Sequence, residues 1–261
     1  MKCCEIMECL RQLSPEHYAC DWDNVGLLVG RKEQEVHSIM VALDASMEVI
    51  EQAIEKQVDM LITHHPMIFG SIKTVNEDTL VGRKILSLVE NHMCYYAMHT
   101  NFDIMGSMAD LAAERLGLLQ TSPLEITCED ENGLHGIGRI GYLEQEIALK
   151  DLTQQVKQAF ALDKLMVYGS LEKKVNYIAI SPGSGRSMIR EALQRGVQVL
   201  ITGDIGHHEG LDAAEEGLCI IDATHYGLEY IFTSFIKEYL KKQDFDVVVM
   251  ESDVSSPCQF V

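Results

Sequence analysis

Histidines and carboxylates at short, repeated spacings are the residues of this chain with the most chemistry in them. The run Leu61-Ile62-Thr63-His64-His65-Pro66 is apolar until it stops at two adjacent histidines and a proline. Downstream, His99 precedes Asp103 and His225 precedes Glu229 at the same interval. Imidazole and carboxylate without thiolate is a donor set for zinc, iron, manganese, cobalt or nickel rather than calcium. The five residues His64, His65, Asp103, His225 and Glu229 are many for one catalytic ion. They suit two divalent cations sharing a carboxylate, with Glu229 the first choice as bridge and Asp103 the second. Adjacent side chains on an ideal strand point to opposite faces, but at a frayed strand end before Pro66 they can splay towards two neighbouring ions.

The elements that must position these groups alternate between strand and helix. Apolar residues at helical spacing predict a helix over 3–13, stopped at Ser14-Pro15. Asp21, Asp23 and Asn24 read as turn formers ahead of a short strand at 27–29. A nearly continuous apolar strand at 38–43 leads to a helix from 47 to about 56, with Ser46 as its cap. The strand at 58–62 is apolar at almost every position, as expected when both faces are covered. His64 and His65 lie at its C-terminal end, where open α/β sheets bind ligands. A loop over 71–80, a helix over 81–90, a strand over 93–98 and a helix over 107–117 follow. Residues 121–134 are acidic and aperiodic and read as a connection. Beyond it the pattern resumes, with strands at 135–143, 165–168, 175–180, 197–201, 219–223 and 245–250. Helices are expected at 147–160, 188–194 and about 228–242.

The second half repeats the first. A shift of 139 places Gly30 on Gly169, Val36 on Val175, Ile50 on Ile189 and Leu61-Ile62-Thr63 on Leu200-Ile201-Thr202. One deletion in the second copy then puts His99 on His225 and Asp103 on Glu229. The fold class that follows is α/β: two similar lobes, each a mixed sheet flanked by helices, with equivalent strand ends converging on a metal site between them. The boundary is expected near 123/124, giving lobes 1–123 and 124–261, interlinked or separate. His99 is then a further ligand or a proton carrier. His207 and His208 follow Gly203-Asp204, the repeat-mates of His64-His65, and are candidates for orienting the ligands or for acid–base work.

Composition narrows the partners. The formal net charge of −19 repels nucleic acid and anionic membrane surfaces, so neither is expected as a partner. Apolar runs are strand-sized, and Met1–Glu8 carries acid where an export signal needs an apolar stretch. The eight cysteines are scattered with no C-x-x-C pair, which fits free thiols in a cytoplasmic protein.

Several motifs together resemble one family. Trp22-Asp23-Asn24-Val25-Gly26-Leu27, Thr63-His64-His65-Pro66, His99-Thr100-Asn101-Phe102-Asp103, Thr202-Gly203-Asp204 with His207-His208, and Thr224-His225-Tyr226-Gly227-Leu228-Glu229 are similar to the GTP cyclohydrolase 1 type 2 family, also called Ngg-interacting-factor-three-like. The likeness runs in order from about residue 5 to 250. It implies two linked α/β lobes, a pair of divalent metals and a ring-shaped homohexamer with inward-facing sites. The family's metal ligands fall on His64, His65, Asp103, His225 and Glu229. Some members insert a further domain between the lobes, for which the 121–134 connection leaves no room. The activity implied is hydrolytic opening of the guanine ring of GTP, with loss of formate, to dihydroneopterin triphosphate. His99 and His208 would then move protons. No P-loop or basic cluster marks a triphosphate site, so two alternatives stand beside it. One is a metal-binding or partner-binding ring protein without this activity, and the other is a hydrolase of another small molecule.

Overall fold

A computed structural model describes residues 1–106, 108–254 and 256–259, and the chain divides into two compact units. The first comprises residues 1–106 and 232–254, and the second residues 108–231 and 256–259. The division therefore departs from a single boundary near 123/124. The chain leaves the first unit before residue 108 and re-enters it at Phe232, because its last strand pairs with an early one.

Among the described residues the first unit holds a five-stranded sheet, in the order β1 (Gly26–Val29), β4 (Cys94–Ala97), β3 (Met60–Thr63), β2 (Ser38–Ala42), β11 (Val248–Glu251). β4, β3, β2 and β11 run parallel, and β1 closes one edge antiparallel to β4. β3 and β4 are buried at every position, which is why they read as unbroken apolar runs rather than alternating ones. The helices α1 (Cys3–Leu13), α2 (Met47–Glu55) and α3 (Leu80–Glu90) belong to this unit, as does α9 (Ile231–Lys241) from Phe232 onward. Ser46 caps α2 by accepting from the Val49 amide, as expected. Met40, Ala42, Val49, Ile50, Ala53 and Leu61 are part of the core between this sheet and its helices.

The second unit's sheet has the order β5 (Leu119–Asp130), β6 (Gly133–Ala148), β8 (Lys174–Ser184), β9 (Val199–Gly203), β10 (Cys219–Asp222), β7 (Met166–Tyr168). β8, β9 and β10 are parallel and β7 closes the edge antiparallel, which repeats the β2–β3–β4–β1 order of the first unit. α4 (Met108–Arg115), α5 (Leu149–Ala159), α6 (Met188–Gln194), α7 (His207–Glu215) and the short α8 (His225–Glu229) complete it.

Two readings of the sequence are corrected here. Residues 121–134 are not a connection. They form most of β5 and the turn into β6, paired antiparallel from Leu119↔Tyr142 to Asp130↔Gly133. β5 is exposed at most of its positions, so it is held by its ladder rather than by a buried stripe, and no apolar alternation marks it. The helix expected over 228–242 is two helices, α8 and α9, and α7 was not foreseen at all.

The repeat holds, with two changes of register, one on the last strands and one in β8, where the pairing with β9 shifts between Ile180↔Ile201 and Ser184↔Gly203. Ile39 pairs with Met60 and Ile178 with Val199, so the shift of 139 spans both strand pairs. Gly30 (φ +113°) packs against Cys94, and Gly169 (φ +111°) packs against Cys219 in the same way. The Cys94 amide donates to the Asp59 carbonyl and the Cys219 amide to the Gln198 carbonyl. The offset on these last strands is thus 125 (219 − 94), not the 126 (223 − 97) that aligns the Ala-x-His motifs. At the strand end the Met98 amide meets Thr63 and the Ala223 amide meets Thr202. His99 is therefore the structural counterpart of Thr224, and His225 falls one residue further on.

Candidate metal centre

In the first unit, β3 and β4 deliver their histidines to neighbouring strand ends. Thr63 and Tyr95 are buried, their hydroxyls 2.8 Å apart and within 2.8 and 3.0 Å of the His65 carbonyl. The Met67 amide donates to the Tyr95 hydroxyl at 3.0 Å, and the His65 amide donates to Leu43 O at 3.0 Å. Burial pushes the Tyr95 phenol up to about 12, so it stays protonated and remains a donor. These bonds hold the His64–Met67 turn open at the end of β3. His99 follows β4, and Asp103 lies in a π-helical turn, Phe102–Gly106, a local widening that recurs at functional sites.

One nitrogen atom from each of His64, His65 and His99 lies within 4.8 Å of the others. Each ring is held through Nδ1. His64 is fully buried, and its Nδ1 is 2.7 Å from the Met98 carbonyl, which can only accept. Nδ1 therefore carries a hydrogen, and Nε2 lies 3.5 Å from Asp103 Oδ1. His65 Nδ1 is 2.8 Å from Asp44 Oδ1, and His99 Nδ1 is 2.9 Å from Asp23 Oδ1. The Asp23 carboxylate is buried, which by itself would raise its pKa. Hydrogen bonds from His99 and Thr100 outweigh that and hold it down at about 2.

In the second unit, His225 opens α8. Its Nδ1 is 2.7 Å from Asp204 Oδ2 and its Nε2 2.8 Å from Glu229 Oε2, one helical turn on. Glu229 is buried and its carboxylate leans on Gly183 (φ +83°), where a Cβ would stand 2.4 Å from Oε1. Both loops carrying these groups are strained: Asp204 has φ +58° and Thr224 φ +64°, the latter unusual for a β-branched residue. Asp222 holds them, accepting from the Ile205 amide with one oxygen and the Thr224 amide with the other, each at 2.9 Å. Thr224 in turn caps α8 by accepting from the Gly227 amide. His207 and His208 are exposed on the first turn of α7, their rings edge-to-face at 5.2 Å.

Within the first unit the donor set fits a divalent cation, and the second unit offers His225 and Glu229 as further donors. His64, His65, His99 and His225 each have Nδ1 held by a carboxylate or carbonyl, which fixes ring orientation and leaves Nε2 on the far side of the ring, as metal-binding histidines require. Asp23 does form the expected turn, accepting from the Asn24 amide at 2.8 Å, and it has a second role that the sequence did not show: it orients His99. Asp44 and Asp222 carried no role in the sequence reading, and Asp204 entered it as the repeat-mate of His65 and within the Thr202-Gly203-Asp204 motif, not as a partner of His225. A usable signal was present, since Asp44, Asp204 and Asp222 all lie at C-terminal strand ends.

The fold is that of a duplicated α/β protein carrying histidine–carboxylate groups that could hold a metal ion. A profile of Duf34/NIF3 (NGG1p interacting factor 3) matches residues 1–257, and the chain belongs to that family. It is 39% identical over 230 residues to the "GTP cyclohydrolase 1 type 2 homolog" of Clostridium acetobutylicum, covering 87% of this chain and 84% of the relative. It is 33% identical over 264 residues to the protein of the same name from Clostridium perfringens, covering all of both. The crystal structure of a Bacillus cereus protein related to NIF3 superposes with a TM-score of 0.93 at 24% identity, covering 100% of this chain and 99% of that one. No helix among the described residues is long and apolar enough to cross a membrane.

Proposed function

We propose that this chain is a metal-dependent hydrolase of a small molecule, with two divalent cations held by His64, His65, Asp103, His225 and Glu229. The observation that supports this most is the set of Nδ1 hydrogen bonds on His64, His65 and His225, which leaves Nε2 of each as the donor atom. Cations bound there would lower the pKa of water and polarise the bond under attack. The protein's own contribution is to fix the rings and to move protons. His99, backed by the ionised Asp23, is oriented to carry a proton at Nε2. His208, exposed on α7, is the second candidate for acid–base work. The names of the relatives suggest GTP as the substrate, with formate as a product. The reading also takes the working protein to be a cytoplasmic, ring-shaped homohexamer.

The test is one purified sample assayed for bound metal by elemental analysis and for formate released from GTP. Wild type should bind two cations per chain and release formate, and Glu229→Gln should lose most of both. Metal-dependent turnover of a different small molecule would keep the hydrolase and replace the substrate. Metal bound at full stoichiometry with no turnover on a broad panel would overturn the enzymatic reading.

A further inference from the structure

We propose that Trp22 and Phe69 form a subsite for the planar ring of a nitrogen heterocycle, placed against His99; this rests on His99 belonging to a reaction centre. Trp22 is the chain's single tryptophan and is 62% exposed, and Phe69 is 55% exposed. Large aromatic side chains gain from burial, so two left in solvent beside one histidine call for a reason other than folding.

Their exposure is not looseness. Trp22 stands next to Asp23, whose carboxylate accepts from His99 Nδ1 at 2.9 Å, the Thr100 amide at 3.0 Å and the Thr100 hydroxyl at 2.5 Å. The Cys20 amide donates to the same Thr100 hydroxyl oxygen at 2.9 Å. Asn24 Nδ2 donates to the Ile68 carbonyl at 2.7 Å, which ties the Trp22 loop to the Phe69 loop. Backbone that is pinned on both sides of an exposed ring presents that ring in advance of binding.

Both rings make T-shaped contacts with His99 from separate loops, Trp22 with centroids 5.9 Å apart at 75° and Phe69 at 5.8 Å and 90°. Neither ring stacks flat on the histidine, and the large exposed surface of each is available to take up another ring. The net charge of −19 opposes holding a substrate by a phosphate tail, so the ring is the better handle. Stacking a base on an aromatic side chain is worth about 1–3 kcal/mol. A ring nitrogen or carbonyl held there would lie beside His99, the group proposed to exchange protons with it.

A single tryptophan makes the test direct, since every change in its emission reports on residue 22. Guanosine titrated into the full-length protein should quench that emission saturably, with and without added metal, while inorganic tripolyphosphate should not. Phe69→Ala should weaken guanosine binding about tenfold. By calorimetry, Trp22→Ala should weaken it similarly and Trp22→Phe should restore it. Absence of quenching, or affinity unchanged in both alanine variants, would overturn the subsite. So would a shift of both variants to smaller assemblies in size-exclusion chromatography with guanosine affinity intact, which would mean that the rings pack on a second copy. Quenching in a protein that fails to hydrolyse GTP would leave the subsite standing without that activity. Hydrolysis without quenching would remove the subsite alone.

Discussion

His225 Nδ1 lies 2.7 Å from Asp204 Oδ2, and Asp204 occupies the position in the second unit that His65 occupies in the first. The same place after the middle strand carries a candidate ligand in one copy and the carboxylate that aims a ligand in the other. The exchange has a second half. His65 is aimed by Asp44; the sequence shift of 139 puts Gly183 opposite Asp44, past the point where β8 slips against β9, and there the Glu229 carboxylate takes the space a side chain would fill. The duplication has kept the scaffold and redistributed the chemistry.

Asp204→Asn should therefore weaken metal binding without weakening the fold. The Asp204 side chain is half exposed, so its contribution to stability is small. Loss of a carboxylate behind a ligating histidine typically costs 10–100-fold in metal affinity. Competition against a chelator should show a drop in that range, with the melting temperature of the metal-free protein nearly unchanged.

Gly183→Ala should act on the same centre by crowding. The residue's φ of +83° costs an alanine about 1 kcal/mol, and its Cβ would displace Glu229 Oε1. Gly217→Ala is the control, with φ +93° and nothing within 4 Å of the added carbon. Both variants should lose similar stability from the backbone, and Gly183→Ala alone should lose bound metal. Equal metal content in the two would count against Glu229 as a ligand.

How much of this was legible in advance follows from what each residue depends on. The central strands were readable because burial on both faces makes them continuously apolar, as in Leu61-Ile62-Thr63 and Leu200-Ile201-Thr202. β5 was not, because an exposed strand keeps no apolar stripe. The histidines were readable because their spacing recurs. Asp23, which lies 76 residues from His99, was not, because the hydrogen bond that gives it a role exists only in the fold. The one-residue error that paired His99 with His225 came from matching side-chain letters, where the backbone ladder pairs His99 with Thr224.

Asp23 should leave a mark on the acid limb of stability. Its folded pKa of about 2 lies below the ordinary 3.8, so its contribution is fully present above about pH 4. It is lost as pH falls from about 4 towards 2, and amounts to about 2 kcal/mol at neutral pH. Urea unfolding of metal-free protein should show wild type losing that stability over this interval. Asp23→Asn should be weaker at neutral pH and flatter between pH 4 and 2. A parallel decline in both proteins would mean that the carboxylate's ionisation does not support the His99 loop.

Asp222→Ala should separate the strain in the second unit from its chemistry. One buried carboxylate holds the amides of Ile205 and Thr224, at the ends of β9 and β10, and Thr224 sits at φ +64° only while it is held. Removing it leaves one buried and one part-buried amide donor unsatisfied, at a cost of about 2 kcal/mol in urea unfolding. Asp222→Asn retains one acceptor oxygen and should recover roughly half of that. Because Asp204 and His225 lie on the two loops that Asp222 ties, metal affinity should fall in both variants. It should fall in the order in which the loops are released, alanine before asparagine. A loss of stability with metal affinity intact would show that the Asp204–His225 pair is set by its own hydrogen bond, and that Asp222 serves the fold alone.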